Sequence, residues 1–563
     1  MSRSLRRVVP ILVVLLMFVL VSPISSAALK PIKITWVNLG FQVDRYGRTW
    51  ELPDKNGEMT RWVAKTFGLD INYEYVLDNN KQDQVTLWSA SGDYPETFIY
   101  ITHAGIFNWG RNIKWANLDK YFNDPKNFPR LYEIKQKYPR TLAPLTFNGH
   151  IVGFPVRINY KVGQPHPDAS YTFGWWIRDD ILKALGGKRP VTLDEFTNML
   201  RAIKKGNFKA PDGKPVIPLL LPPADWYSEC IFFQTFGLNW IGMTKDGWYQ
   251  FWGMTKQGYQ AMKYCNQLFN EGLIDPEWVT QKEEMFQEKQ RNGSAAVMVG
   301  WLGYGIIESI KQAGYNFSYT AIPVPKVPGI SRPFPWNTLP GPDSDLVLYV
   351  TDKASSVQVE RLARLVEWAL SLEGARCLYL GASPDMIELK KSGPYKGYYW
   401  FKDKYKDLDW YINPDTGAAR KKHGVLLLNG PVSYTRAEMK VPIIPTEAEK
   451  WAKENYQWIS ANNNIAYMGD VGPEYVPDDL VSINNKIWSL IPAMLQRACV
   501  SPPDQFEAIY KEAIAECKRV GFKKLCDDQW ARRKAYLEQN GGKKACSIPD
   551  DYPYADLLDE FKE

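Results

Sequence analysis

The sequence is poor in the residues that most catalytic and metal sites require. It has only four histidines in 563 residues, and its seven cysteines include no C-x-x-C pair. It also lacks a G-x-S-x-G nucleophile motif, a P-loop and the paired histidines of metallohydrolases. These absences argue against histidine-based catalysis, zinc sites and nucleotide hydrolysis. Carboxylates are plentiful, so an acid–base pair of the glycosidase type remains open.

Long apolar runs are also missing beyond the first residues. Three arginines precede an apolar run over residues 8–21, and small residues follow at 25–27. This order is typical of a secretory signal peptide, cleaved near Ala27 or Ala28. An N-terminal membrane anchor is the alternative, but the run is shorter than the ~20 residues a span needs. No cysteine follows it, so we expect no lipid anchor and a location in the periplasm or outside the cell.

The chain carries little excess charge. Its formal net charge is +7, part of which belongs to the signal peptide. A mild excess spread over a large surface does not indicate nucleic-acid binding, which calls for a clustered basic stripe. Hydrophobic content of 45% and charged content of 23% are those of a globular protein with more than one core.

Four of the seven cysteines lie near the C-terminal end. They are Cys499, Cys517, Cys526 and Cys546. Because export permits disulfides, we expect local disulfides among these four, with their connectivity open.

The N-terminal part predicts a parallel sheet. Alternating apolar residues form strands at 32–36, 71–75 and 98–101, with short helical patterns between them. Strand–helix–strand order implies parallel strands with helices on both faces. Ligands of such sheets bind beyond the carboxyl ends of the strands, where Asn38 and Tyr100 lie.

The stretch from Phe147 to Phe196 carries the clearest local signals. A short apolar hairpin leads into the strand-like sequence WWIR and then into two helices. Thr192 and Glu195 have the spacing of a capping box. Pro218 lies inside a later apolar run, which favours an edge strand there.

This stretch resembles the extracellular solute-binding proteins of sugar ABC importers (family 1). In that family a "DGK-YG-P" hairpin precedes an "IR-DWL-KLG---P-T-DEL" segment, here matched at 148–155 and 177–196. Further matching segments follow in family order: Ser91–Glu96, Glu271–Glu277, Phe286 to Trp301, and Ser371–Gly374. The late helical region is similar in length and character to that of the long oligosaccharide- and alginate-binding members.

The resemblance implies an α/β, two-lobe periplasmic-binding-protein fold, type II or cluster D-like, with a large C-terminal helical extension. Two or more segments would cross between the lobes and form a hinge, the hairpin at 147–157 being the first. The expected division is a signal peptide (1–27), first lobe (28–155), second lobe (156–315), first lobe and hinge (316–391), and second lobe with the helical C-terminal region (392–563).

The resemblance also bears on cofactors. Alginate-binding members carry an acidic Ca²⁺ loop after the helix that here ends near Lys205. Asn207 and Asp212 supply too few oxygen ligands for calcium, and neighbouring lysines repel it. We therefore expect no calcium at this loop, and no cofactor.

Aromatic residues make up 14% of the chain, and their flat faces suit the C–H faces of sugar rings. Most of the 22 tryptophans should be core residues, since tryptophan is well buried on average. Those in segments expected to face the cleft, with polar partners, are the candidate ligand-binding residues: Asn38, Tyr100, Trp109, Trp175, Trp176, Trp226, Trp301, Arg332 and Trp336.

Three of these candidates need comment. Trp175 and Trp176 alternate in one strand, so either could reach the cleft. Trp301 matches a position where the alginate-binding relatives have an aromatic residue in the cleft. Arg178, outside the set, could meet an acidic sugar or form an ion pair with Asp179 or Asp180.

The predicted function is the substrate-binding subunit of an ABC importer, a monomer that closes around an oligosaccharide and docks on membrane permease subunits. A peptide- or other solute-binding subunit of the same fold is the main alternative. A secreted carbohydrate-active enzyme and a binding module that feeds a signalling receptor also remain open.

Overall fold

The computed structural model describes most of the chain after the N-terminal segment. The described residues are 29–39, 52–76, 80–101, 105–137, 142, 145–158, 171–223, 228–238, 242–243, 249–250, 252–330, 344–409, 417–425, 434–442, 447–462, 476–539 and 556–559. The expected signal peptide lies outside these ranges. Across them, each helix is too short or too polar to cross a bilayer.

The strands are short and come mostly from the first two thirds of the chain. In chain order they are β1 (Ile32–Leu39), β2 (Leu69–Val76), β3 (Thr97–Ile101), β4 (Thr146–Phe147), β5 (His150–Ile151), β6 (Gly153–Ile158), β7 (Tyr171–Arg178), β8 (Ile217–Leu220), β9 (Gly242–Met243), β10 (Tyr249–Gln250), β11 (Ala295–Gly303), β12 (Tyr319–Ile322), β13 (Ser344–Val350), β14 (Ile387–Leu389) and β15 (Tyr399–Phe401).

The helices surround these strands and dominate the C-terminal third. They are α1 (Glu58–Phe67), α2 (Lys81–Ser91), α3 (Gly105–Trp109), α4 (Asp119–Phe122), α5 (Pro129–Lys137), α6 (Asp179–Ala184), α7 (Leu193–Lys205), α8 (Lys256–Asn270), α9 (Glu283–Arg291), α10 (Tyr304–Gln312), α11 (Ser356–Ala369), α12 (Leu372–Leu380), α13 (Gly417–Lys422), α14 (Arg436–Met439), α15 (Glu447–Asn462), α16 (Val481–Val500), α17 (Phe506–Arg519) and α18 (Phe522–Gln539). Short 3-10 helices lie at 228–236, 252–254, 384–386, 403–408 and 478–480.

The first lobe contains a five-stranded sheet in the order β2-β1-β3-β13-β6. β1 runs parallel to β2 and β3, as the alternating apolar residues predict. β13 runs antiparallel to β3 and β6, because the chain returns to this sheet after the second lobe. One continuous core joins the sheet to α1, α2, α11 and α12.

The second lobe contains a four-stranded sheet in the order β12-β7-β11-β8. β7 is antiparallel to both β12 and β11, and β8 is parallel to β11. β8, with Pro218, is the edge strand that the sequence predicts. Thr192 and Glu195 form the expected capping box at the start of α7. Separate cores lie on the two faces of this sheet.

Between the described elements, the chain passes from one lobe to the other after β6, after β12 and after α14. The two-lobe α/β fold is therefore confirmed. The expected first crossing lies elsewhere, because β6 is paired with β13 in the first sheet and the chain leaves that lobe only after Ile158.

Two expected lobe boundaries also differ from the packing. β12 lies beyond the expected boundary at 315, yet it pairs with β7 in the second sheet. Trp400 and Phe401 lie beyond the expected boundary at 391, yet they are buried in the first core. The next described element of the second lobe is α15. The aromatic side chains at 400–405, which precede it, are part of the first core.

The cysteines near the C-terminal end do not follow the expected disulfide pattern. Cys499, Cys517 and Cys526 are buried thiols in the second core, on α16, α17 and α18. Each side chain is packed on the apolar face of its own helix, and Cys499 Sγ lies 3.8 Å from Met262 Sδ. Cys546 lies outside the described residues.

Candidate functional site

Two candidate residues lie at the carboxyl edge of the first sheet, on its opposite faces. Asn38 pairs with Ile99 in the register of β1 and β3, so its side chain shares the Ile99 face, whereas the side chain of Tyr100, the next residue of β3, lies on the other face. Asn38 is 3% exposed and Tyr100 is 4% exposed. Within the described residues, Asn38 Oδ1 is buried without a hydrogen-bond partner. A buried amide oxygen in this condition favours a donor from water or a ligand hydroxyl.

The short helix α3 follows β3 and adds Trp109 to this edge. The rings of Trp109 and Tyr100 lie 6.3 Å apart at an interplanar angle of 52°. Trp109 is half-buried. Lys81 Nζ lies 5.6 Å from the Tyr100 ring centroid and places a cation at the same edge. The Tyr100 face of the edge therefore carries two aromatic rings and a positive charge, and the Asn38 amide lies on the other face.

The other side of α3 is anchored in the first core. Phe107 stacks on Phe147 at 5.0 Å and meets Trp115 and Tyr349 edge to face. Burial raises the pKa of the Tyr349 phenol, so that hydroxyl stays neutral beneath the helix. These contacts fix the position of α3 and of the Trp109 ring it carries.

The helix α3 also contacts the second lobe. The backbone N–H of Val476 donates to Asn108 Oδ1 at 3.1 Å, and the Val476 carbonyl accepts from Arg111 Nη2 at 2.6 Å. Val476 is 2% exposed and belongs to the second core. The carboxyl edge of the first sheet therefore faces the second lobe.

The second sheet presents the carboxyl ends of β8 and β11 at one edge, since these strands are parallel. At the end of β8, Gln281 Nε2 donates to the Leu221 carbonyl at 2.7 Å, and Trp278 Nε1 donates to the Pro222 carbonyl at 3.1 Å. These bonds hold the start of the loop that contains Trp226, itself outside the described residues. The backbone of Trp301 pairs with Phe173 near the end of β11, but its side chain is not described.

Trp175 and Trp176 do not face a cleft in this structure. Each is 1% exposed, on opposite faces of the second sheet. Trp175 Nε1 donates to Gln234 Oε1 at 3.3 Å, and Trp176 Nε1 donates to the Gly300 carbonyl at 3.0 Å. Helices cover both faces of the sheet, so both rings are core residues rather than ligand-facing ones.

Two further candidates, Arg332 and Trp336, lie outside the described residues.

Arg178 forms an ion pair, which was the alternative to its binding an acidic sugar. Its Nη2 lies 2.7 Å from Asp180 Oδ2. Arg178 also donates to the Gly293 carbonyl at 2.7 Å. Its guanidinium is thus committed inside the second lobe.

The sequence did not predict the roles of Asn108, Arg111 and Val476, because these residues belong to no local motif.

The loop after α7, where calcium was not expected, forms contacts of its own. Asp212 Oδ1 accepts from the Lys214 N–H at 3.0 Å, and Asp212 Oδ2 lies 3.3 Å from Lys214 Nζ. The Lys214 N–H, followed by the Lys214 side chain, lowers the pKa of Asp212. Among the described residues, no group of three or more acidic, histidine or cysteine side chains is arranged to hold a metal ion.

Comparison with known proteins places this geometry in context. No family model matches the chain. It is 24% identical over 271 residues to the fructooligosaccharide ABC transporter substrate-binding protein FusA of Streptococcus pneumoniae, covering 46% of this chain and 48% of FusA. It is 24% identical over 263 residues to the lipoprotein LipO of Bacillus subtilis, covering 44% and 47%. The chain thus spans about half the length of the curated relatives it matches.

The structural likeness extends further along the chain. FusA in complex with kestose superposes with a TM-score of 0.65 at 16% identity, covering 90% of this chain and all of FusA. The alginate-binding protein AlgQ2 superposes with a TM-score of 0.59 at 16% identity, covering 90% and 98%. The chain therefore has the two-lobe fold of the solute-binding proteins, and the resemblance of its motifs to the substrate-binding proteins of sugar ABC transporters is confirmed.

Proposed function

We propose that this protein is the extracellular substrate-binding subunit of an ABC importer and that it captures an oligosaccharide between its two lobes. The observation that carries the proposal is the pair of hydrogen bonds to Val476 from Asn108, on α3, and from Arg111, two residues beyond α3. They set the carboxyl edge of the first sheet, with Asn38 and Tyr100, against the second lobe. Open α/β sheets bind ligands at such edges.

The side chains at this edge suit a sugar. The half-buried Trp109 ring, packed on the buried Tyr100, offers aromatic surface to the C–H face of a sugar, and Asn38 offers a buried acceptor to a hydroxyl. Trp226, Trp301, Arg332 and Trp336 are proposed to complete the site from the second lobe and the second crossing. Lys81 adds positive charge, which tolerates an acidic sugar without requiring one.

The proposed mechanism is a hinge motion of the lobes about the three crossings. An open form admits the oligosaccharide, and closure surrounds it with side chains of both lobes. The closed monomer then docks on permease subunits in the membrane. We propose export by the N-terminal signal peptide and a periplasmic or extracellular location.

We propose that the protein releases its ligand unchanged and is not an enzyme. FusA and AlgQ2 are binding proteins by their names. The edge residues Asn38, Tyr100 and Trp109 include no carboxylate that could serve as an acid or a nucleophile.

A thermal-shift screen tests the proposal. The purified mature chain is mixed with kestose, nystose, maltotriose, an alginate trisaccharide and a set of short peptides. We expect at least one oligosaccharide to raise the melting temperature, with the sugar recovered intact afterwards. A shift with peptides alone favours a peptide importer, and a shortened sugar favours an enzyme.

The Trp301→Ala variant then tests the second-lobe contribution. We expect weaker sugar binding at an unchanged melting temperature of the ligand-free protein. Unchanged affinity removes Trp301 from the site.

A further inference from the structure

We infer that Asn108 and Arg111 are positioning residues that hold the lobes closed by clamping the backbone of Val476, without touching the ligand. This inference rests on the proposed closure of the lobes around a ligand. It means that two side chains outside the proposed ligand site determine how long the lobes stay closed.

The contact is made across the lobes, and not within one of them. Ile106 and Phe107, which directly precede Asn108, are buried in the first core. Val476 is buried in the second core and leads into α16 through the 3-10 helix at 478–480. Any opening of the lobes that separates these cores must break both hydrogen bonds.

The clamp uses both polar groups of a single peptide residue. Asn108 Oδ1 accepts from the Val476 N–H at 3.1 Å, and Arg111 Nη2 donates to the Val476 carbonyl at 2.6 Å. The second bond is charge-assisted and therefore the stronger of the two. Because it recognises only backbone, the clamp does not depend on which sugar is bound.

The helix α3, which carries Asn108, also carries Trp109, and Arg111 follows it by two residues. The contact of Phe107 with Phe147 holds this helix within the first lobe. Closure therefore clamps Val476 beside a Trp109 ring that the first core already holds in place. We expect loss of the clamp to speed ligand release and to leave the order of sugar preferences unchanged.

The test compares variants that differ in one hydrogen-bonding group. Asn108→Asp keeps the acceptor for the Val476 N–H, whereas Asn108→Leu has a similar size and removes it. Arg111→Met removes the charged donor and keeps the length of the chain. Arg497→Met is the matched control, because Arg497 pairs with Glu512 within the second lobe.

Two readouts are measured on the full mature chain. Stopped-flow tryptophan fluorescence gives the dissociation rate of kestose, or of the tightest-binding sugar of the screen. We expect Asn108→Leu and Arg111→Met to release it about tenfold faster, the cost of losing one such hydrogen bond. Asn108→Asp and Arg497→Met should release it at the wild-type rate.

Hydrogen exchange of the peptide containing Val476, measured with the sugar bound, gives the second readout. We expect faster exchange at Val476 in Asn108→Leu and Arg111→Met than in Asn108→Asp and Arg497→Met. Absence of binding by every sugar contradicts the proposed function and, with it, the closed state that the clamp requires. Equal exchange in all four variants, with sugar binding confirmed, overturns the clamp alone.

Discussion

Trp175 and Trp176 are neighbours in the sequence, yet their rings lie in different cores. Trp175 packs edge to face on Phe196 at 5.1 Å, and Trp176 packs on Trp451 at 5.5 Å. The two rings thus tie the second sheet to α7 on one face and to α15 on the other. Their role is structural, and it leads to the first prediction.

Trp175→Ala should lower the free energy of unfolding by about 3–5 kcal/mol, because it leaves a large cavity in a closed core. Trp109→Ala should cost about 1 kcal/mol, because that ring is only half-buried. Urea titration of both variants measures the difference. A larger loss for Trp109→Ala contradicts the assignment of Trp175 to the core.

The ion pair between Arg201 and Glu271 should make stability depend on pH in acid. Arg201 donates to both carboxylate oxygens of Glu271 at 2.7 Å, and this contact lowers the pKa of Glu271 from 4.5 to about 2. A carboxyl whose pKa is lowered by folding stabilises the fold above its ordinary pKa. That contribution disappears as the pH falls from 4.5 through about 2.

Glu271→Gln should therefore flatten the loss of stability over this pH range. Urea midpoints measured at several pH values test it, with Glu284→Gln, an exposed residue on α9, as the control. A pH profile of Glu271→Gln that matches the wild type removes the pair as a source of acid sensitivity.

His423 should hold the segment 417–425 against α1. Its ring nitrogens lie 3.1 Å from Glu58 Oε2 and 3.0 Å from Asp407 Oδ2. Burial raises the pKa of Glu58 and of Asp407, but the hydrogen bond and charge of His423 outweigh it and leave both lowered. His423→Leu should cost about 2 kcal/mol, since it leaves two partly buried carboxylates without this partner.

Hydrogen exchange locates this effect. The peptide covering 417–425 should exchange faster in His423→Leu, while peptides of the second lobe stay unchanged. Faster exchange throughout both lobes would instead indicate global destabilisation and contradict a local role of His423.

The cysteines of the second core should be reduced in the native protein. Cys499, Cys517 and Cys526 are buried thiols, and burial raises the pKa of Cys517 to about 12. Alkylation after denaturation without reductant should therefore modify all three, and mass spectrometry reads the result. Unmodified Cys499 or Cys526 in that experiment would restore the disulfide expected from the sequence.

Local order was predictable where short-range signals decide it. The alternation at Ile32, Ile34 and Trp36 predicted β1, Pro218 predicted an edge strand, and Thr192 with Glu195 predicted a helix start. Each of these rests on contacts within a few residues. The alternation of strands and helices then predicted that the first three strands are parallel, which placed Asn38 and Tyr100 at the carboxyl edge of the sheet.

Long-range packing was not predictable in the same way. The strand period of two placed Trp175 and Trp176 on opposite faces, but it could not reveal that α15, some 270 residues later, covers the second face. The clamp on Val476 joins side chains to a backbone more than 360 residues away. A hydrogen bond to a backbone group requires no particular side chain at that residue. The sequence therefore does not indicate such a partner, and only the fold reveals it.

The most direct test of oligosaccharide capture is isothermal titration of the mature chain and of Trp109→Ala with the panel of sugars. The account predicts one oligosaccharide bound per chain, with an affinity about tenfold weaker in Trp109→Ala through loss of an aromatic anchor. Absence of heat with every sugar, or equal affinity of the two proteins for the sugar that binds, contradicts capture at this edge.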